Sequence, residues 1–258
     1  MSLRKLLCLV ETLAFGGRWR EAVLLGILGS YYRSRLRRHW VWQCGGEAHF
    51  SDHRASGFEF VFSADPGFSG YGLYRGFLAA ELIRDGDSVL DIGCGDGFLT
   101  RRFCALRAAS VDAIDIEPTA IAMASVRQNG SNIRYQCLDA TKQSFPRERY
   151  DVIVWDGAIG HFAADDIDAM LSKISRSVGS DGVFCGSESL GLEGHDHLTY
   201  FHTLDDLGTL LRKHFSHVEL RSVEYPVGLF RSKFLRTEAL WRCANDRTRL
   251  SESTWKSY

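Results

Sequence analysis

The sequence predicts an α/β fold, a doubly wound and mostly parallel seven-stranded sheet with an N-terminal helical extension. Three observations predict it. From about residue 75 onward, short apolar runs alternate with helical segments, the rhythm of a parallel sheet covered on both faces. One of those runs, Val89 to Ile92, leads directly into three glycines at alternate positions and then a helix. Up to about Trp42, apolar clusters alternate instead with arginines.

The extension, residues 1–74, reads as two helices broken near Gly16 and Gly17 and followed by an irregular stretch. In the second helix Val23, Leu24, Ile27, Leu28 and Tyr31 recur at helical spacing, while Arg33, Arg35, Arg37 and Arg38 crowd its end. Cations there complement the helix dipole. A basic amphipathic helix also suits an anionic membrane surface, so packing on the core and docking on a membrane or partner both stay open. Between Gly45 and Tyr74 the chain is rich in Gly, Ser and aromatics, which suits a linker or a lid. The second unit, residues 75–258, opens with a helix over about 75–84 and a strand Ser88–Ile92. A glycine turn, a helix over about 98–106 and a strand Ser110–Asp115 follow, then a helix near Thr119–Asn129. Strands Ile133–Leu138 and Tyr150–Trp155 come next, then a helix Asp165–Val178 and a strand Gly182–Ser187. A helix Leu204–His214 precedes two final strands, about Val218–Tyr225 and Leu235–Arg242. Crossovers between the parallel strands are expected to be right-handed.

At 258 residues, 45% hydrophobic and 24% charged, the chain suits one domain with an added segment and is too apolar to be disordered. Its formal net charge of −1 excludes the whole-chain polyelectrolyte behaviour of non-specific nucleic-acid binders, and no nucleic-acid partner is expected. The average conceals an asymmetry. Residues 1–40 carry eight Lys and Arg against two Glu, a net +6, which leaves −7 on the remainder. The seven cysteines are odd in number, scattered and never spaced CxxC, which disfavours a disulfide framework or a structural zinc and suits a reducing compartment. No apolar run approaches the roughly 20 residues a membrane span requires. Glu11 interrupts the apolar start, so a cleavable signal fits poorly. A cytoplasmic location follows as the expectation, with peripheral contact at the inner membrane surface through residues 1–42 left open.

The strongest local signal is the segment from Val89 to Gly97, an apolar strand ending in Asp91-Ile92-Gly93-Cys94-Gly95-Asp96-Gly97. Glycines at alternate positions let the backbone turn sharply and approach a ligand, and the helix that follows presents unpaired amides. Dinucleotide-binding loops use a related GxGxxG that cradles a pyrophosphate. Here the spacing is GxGxG. Asp91 at the strand end would repel a phosphate and attract an amine, so the ligand is expected to bring an amino acid group to this loop.

With that segment the sequence resembles the class I S-adenosylmethionine-dependent methyltransferases, and the likeness extends over about residues 75–245. The resemblance implies the Rossmann-like fold of that family and S-adenosylmethionine as cofactor, its amino acid end held by Asp91, Gly93 and Gly95. It makes Cys94 a small packing residue. Asp115, ending the second strand, matches the family's ribose-binding acid, since a carboxylate there can accept from both hydroxyls. Glu117, beside Pro118, reads as a helix-start charge. Asp139 matches the acid that accepts from the adenine amino group, with the Ala140 amide as a ring contact and Ile116 as apolar cover. Trp155, at the end of the fourth strand, joins these as a cofactor contact.

Catalysis is harder to place. In many relatives the loop after the fourth strand ends in Glu-His; His161 fits the His, while Gly160 replaces the Glu. After the fifth strand, Glu188, His195 and His197 raise a metal site or an imidazole base for the acceptor; no metal is expected. His161, His195 and His197 are the candidate catalytic residues. Tyr71, Tyr74 and Arg75 suit a lid, and Arg75 an anionic acceptor. The expected function is methyl transfer from S-adenosylmethionine to a small-molecule, saccharide or lipid-linked acceptor, preferably at oxygen. The alternative is a non-catalytic scaffold that binds the cofactor and docks through its basic N-terminal helices; a dinucleotide-dependent oxidoreductase is a third.

Overall fold

The computed structural model describes residues 66–126, 130–191, 197–227, 234–246 and 248–251. The two expected N-terminal helices, with their membrane or partner contact, lie outside the described residues, as does His195.

Helix α1 (Pro66–Leu82) leads into strand β1 (Ser88–Ile92), and α2 (Phe98–Arg102) leads through a short 3-10 turn into β2 (Ser110–Asp115). Next come α3 (Pro118–Val126), β3 (Ile133–Cys137), β4 (Tyr150–Asp156), α4 (Ala164–Ser177) and β5 (Val178–Ser189). The chain continues through α5 (Leu204–Leu211), β6 (His217–Val227), β7 (Phe234–Ala244) and α6 (Thr248–Ser251). The seven strands form one sheet in the order β3-β2-β1-β4-β5-β7-β6. β1 to β5 run parallel, and β7 pairs antiparallel with both β5 and β6. The expected doubly wound, mostly parallel sheet is thus the observed one.

Because β1 pairs with both β2 and β4, the chain reverses direction across the sheet at that point. Open sheets of this kind place ligands outside the carboxyl ends of the strands at such a reversal. The alternation of strand side chains then sorts the residues. On one face Leu90, Ile92, Ile153, Trp155 and Phe184 pack against Ile167, Met170, Leu171 and Ile174 of α4, a stripe at i, i+3, i+4 and i+7. On the other, Val89, Val111, Ala113, Val152 and Val154 pack with Leu82, Ile83 and Cys104. Asp91 and Asp115 continue this second face at the strand ends. Each buried aliphatic side chain contributes on the order of 1.5–3 kcal/mol.

Three element bounds differ from expectation for physical reasons. α1 begins at Pro66, so the run Gly67-Phe68-Ser69-Gly70-Tyr71-Gly72, rich in turn-forming residues, is helical; a proline at the first position pre-sets the helical φ. The helix therefore crosses the expected boundary between residues 74 and 75. β5 starts at Val178, with a register shift against β4 between Tyr150 and Val152, an irregularity that a hydrophobic pattern does not encode. The short helix α6 was not expected. Among the described residues no helix is long and apolar enough to cross a membrane.

Candidate active site

The loop after β1 turns on three left-handed glycines, Gly93, Gly95 and Gly97, with φ of 71°, 55° and 75°. The amides of Gly93 and Cys94 both donate to the Ile114 carbonyl, at 2.9 and 3.1 Å, which binds the loop to the end of β2. Gly97 is confined further. A Cβ there would lie 2.3 Å from the Tyr135 hydroxyl oxygen, so both conformation and space demand glycine.

Asp115, 6% exposed, accepts from the Gly95 amide at 2.8 Å and the Glu117 amide at 2.9 Å. Its carboxylate is thereby aimed at the loop. Asp91, 4% exposed, accepts from the Thr100 hydroxyl of α2 at 2.5 Å. Burial pushes its carboxyl up to about 7; the Thr100 bond opposes this, and the charges of Asp156 and Asp115 add to it. Thr100 carries no motif that marks it in the sequence. The thiol of Cys94 is buried and pushed well up by that burial, which suits packing and not nucleophilic chemistry.

Beyond β3 the chain is drawn to the same edge. Leu138 donates its amide to the Asp115 carbonyl at 2.8 Å. Asp139 folds a tight turn: Oδ1 accepts from the Thr141 amide at 3.0 Å and its hydroxyl at 2.6 Å, and Oδ2 faces the exposed Lys142 ammonium at 2.9 Å. The Thr141 hydroxyl and then Lys142 hold the Asp139 carboxyl below its usual range. Ala140 is buried, whereas Ile116 keeps 39% of its surface exposed beside Asp115. Glu117 accepts from the Thr119 amide at 3.1 Å, the helix-start role expected of it.

The loop after β4 completes the edge. A Cβ on Gly93 would lie 3.1 Å from that of Ala158, so the two loops touch. Asp156 accepts from the Ser187 hydroxyl at 2.6 Å and pairs with Arg75 of α1 at 3.4 Å. Arg75, expected as a lid or acceptor residue, thus ties α1 to this loop, and a Cβ on Gly157 would meet its guanidinium at 2.7 Å. His161 and His197, 36 positions apart in sequence, meet edge to face with ring centroids 4.6 Å apart. The Gly160 carbonyl accepts from the amides of Leu198 and Thr199 at 2.8 and 3.1 Å, and a Cβ on Gly160 would lie 2.8 Å from His197 Nδ1. The glycine that replaces the expected Glu is what lets the histidine segments close.

One expectation needs correction. Trp155 is fully buried, its indole edge-on to Phe162 at 5.0 Å in the core beneath α4. Alternation puts its ring on the face opposite Asp156, and it offers no side-chain surface to a cofactor. Glu188, weighed as a metal ligand, is 3% exposed and accepts from the Gly160 amide at 2.9 Å and from the amide and hydroxyl of Ser189 at 2.8 and 3.0 Å. It braces the histidine loop. Among the described residues no three His, Cys, Asp or Glu side chains cluster in a way that could hold a metal.

Residues 89–182, from the first strand of this site into the fifth, match a family described as a methyltransferase domain. Residues 89–182 thus carry a methyltransferase domain. This methyltransferase domain is 34% identical over 100 residues, 38% of this chain and 34% of the relative, to a malonyl-[acyl-carrier protein] O-methyltransferase of Acetivibrio thermocellus. It is 31% identical over 109 residues, 42% of this chain and 54% of the relative, to an uncharacterized methyltransferase of Mycobacterium tuberculosis. The chain spans about a third to a half of these curated relatives. In fold, the methyltransferase domain is similar to the N-methyltransferase NodS of Bradyrhizobium japonicum WM9, solved with S-adenosyl-L-homocysteine. The TM-score is 0.57 at 15% identity, over 82% of this chain and 98% of that one.

Proposed function

We propose that this protein transfers the methyl group of S-adenosylmethionine to a small-molecule, saccharide or lipid-linked acceptor, preferably at oxygen. The observation that carries the reading is the pair of buried carboxylates Asp91 and Asp115, with the half-buried Asp156, on one face of the sheet at its reversal point beside a left-handed glycine loop. These residues fit a cationic, hydroxyl-bearing cofactor, because the repulsion of Asp91 by Asp156 and Asp115 falls when a cation enters, whereas a phosphate beside Asp91 would add to it. The cofactor supplies a methyl group on a positive sulfonium. Asp91 would attract its amino group, Asp115 would accept from its ribose hydroxyls, and Asp139 with Ile116 and the Ala140 amide would receive the adenine.

For the acceptor, His161 and His197 supply imidazoles, side chains able to take a proton from a hydroxyl. Holding the acceptor in line is itself worth up to roughly 7–11 kcal/mol in favourable systems, and the braced loop of Gly160 serves that end. The preference for oxygen rests on this histidine-rich edge and is supported by the name of the Acetivibrio relative. Labelled methyl groups from S-adenosylmethionine should pass to a component of a metabolite or membrane extract. Intact cofactor binding with no transfer to any extract would favour the scaffold reading instead, and binding of NAD in place of S-adenosylmethionine would sink both.

The state of Asp91 makes the site sensitive to pH. Below about 7 the free protein holds Asp91 largely protonated, so binding an amine must release that proton. Affinity for S-adenosylhomocysteine should fall roughly fivefold from pH 7 to pH 6, approach tenfold per unit below that, and level off above about pH 8. Titration calorimetry across this range checks it, and Asp91→Asn should flatten the profile; a parent profile that is already flat removes Asp91 from the amine site. Stability of the free protein follows the opposite direction. An acid raised on folding binds its proton where the unfolded chain does not, so stability declines as pH rises from about 4 to about 7.

A further inference from the structure

We infer that Lys173 is a positioning residue for the cofactor's adenine, acting from α4 through the backbone of the loop that carries Asp139 and Ala140. This rests on the adenine role given to Asp139 above. Lys173 reaches across from α4, and its ammonium donates to the Ala140 carbonyl at 2.8 Å and to the Gln143 carbonyl. The same ammonium stands 4.2 Å over the ring of Phe145, a residue buried in the core cluster beneath α4. Burial pulls the Lys173 ammonium below its usual range, while the Asp139 charge acts the other way. A half-buried cation that gives two bonds to one loop and a third contact to its anchor fixes that loop's backbone.

On the side facing α4 the loop packs Ala140 and Phe145 into the core cluster, and Lys173 adds hydrogen bonds to its backbone carbonyls. The loop's internal bonds, from Thr141 and Gln143 to Asp139, close the turn on itself, and the Leu138 amide ties only its start to Asp115. Asp139 Oδ1 is held inside the turn by Thr141, so the oxygen able to receive an incoming amine is Oδ2, whose partner is the 81% exposed side chain of Lys142. An exposed ion pair is weak and exchangeable. Where Oδ2 points is set by the turn, and the turn is held against the core by Lys173. A long side chain on a neighbouring helix thereby governs a hydrogen bond it does not make.

The test compares S-adenosylhomocysteine with S-inosylhomocysteine, in which the adenine amino group is replaced by an oxo group. Wild-type protein should prefer the adenosyl compound by roughly tenfold or more, the size of one hydrogen bond to a charged acceptor. In Lys173→Met, which keeps an apolar stem over Phe145, that preference should collapse to about twofold or less, the loss falling on the adenosyl compound. Lys173→Gln serves the same purpose if the Met variant does not fold. A purely structural lysine would lower the melting temperature and leave the ratio of the two affinities as in wild type, and that result overturns the inference. Absence of any preference in the wild type would instead overturn the adenine role of Asp139, and the inference with it.

Discussion

Replacing Arg249 by alanine is expected to lower the stability of the domain by about 3–5 kcal/mol. Arg249, 6% exposed, sits on α6 and grips the 7% exposed Asp87 with two nitrogens, at 2.7 and 3.2 Å, while its Nη1 also donates to the Leu82 carbonyl at 3.2 Å. This fork holds the last described helix against the turn between α1 and β1. Removing the guanidinium leaves Asp87 buried with, among the described residues, the Arg84 amide at 2.8 Å, and takes a donor from the Leu82 carbonyl. The melting temperature should drop by roughly 6–20 °C at the usual 2–4 °C per kcal/mol for a domain of this size. A double variant, Arg249→Met with Asp87→Leu, should recover much of the loss, because an apolar pair costs less than a single uncompensated charge. A loss below about 1 kcal/mol in the Arg249→Ala protein would show that the pair is not a structural tie.

Asp115→Ala is expected to weaken binding of S-adenosylhomocysteine by about 1–3 kcal/mol, roughly 5- to 150-fold, through lost charge-assisted hydrogen bonds. The same carboxylate receives the Gly95 and Glu117 amides, so part of the effect would come through the loop. A thermodynamic cycle separates the two contributions. If Asp115 accepts from the ribose, wild type should discriminate against the 2′-deoxy analogue, and Asp115→Ala should lose that discrimination. Equal discrimination in both proteins, or affinity for S-adenosylhomocysteine within twofold of wild type, would remove Asp115 from the ribose site.

The site was unevenly legible in the sequence. The acid, the glycines and the second acid form a local pattern, and the structure sets Asp91, Gly93, Gly95 and Asp115 side by side because consecutive parallel strands place their ends along one edge. Asp139 was readable for the same reason. Trp155 was not, since a residue at a strand end can face either side and only alternation within the packed sheet turned it into the core. Thr100, the hydroxyl on Asp91, and Glu188, the brace under Gly160, left no mark in the pattern. His161 and His197 stood out separately as histidines in loops; their ring contact could not be read, because it depends on a carbonyl of Gly160 receiving two amides from residues 198 and 199. Arg75 was noted as a lid residue, and its partner Asp156 emerged only once α1 lay across the sheet.

What the sequence by itself determined is the order of strands and helices, the doubly wound sheet and the acidic glycine loop that suits an amine and not a phosphate. These depend on periodicity and on neighbours a few residues away, and short-range sterics act whatever the rest of the chain does. Only the tertiary structure decided which acids share a face, how far burial pushes Asp91, which histidines meet, and how Lys173 and Arg249 fasten segments distant in the chain. Those properties arise from exclusion of water and from charges acting through space, and both exist only after the sheet has closed over its core.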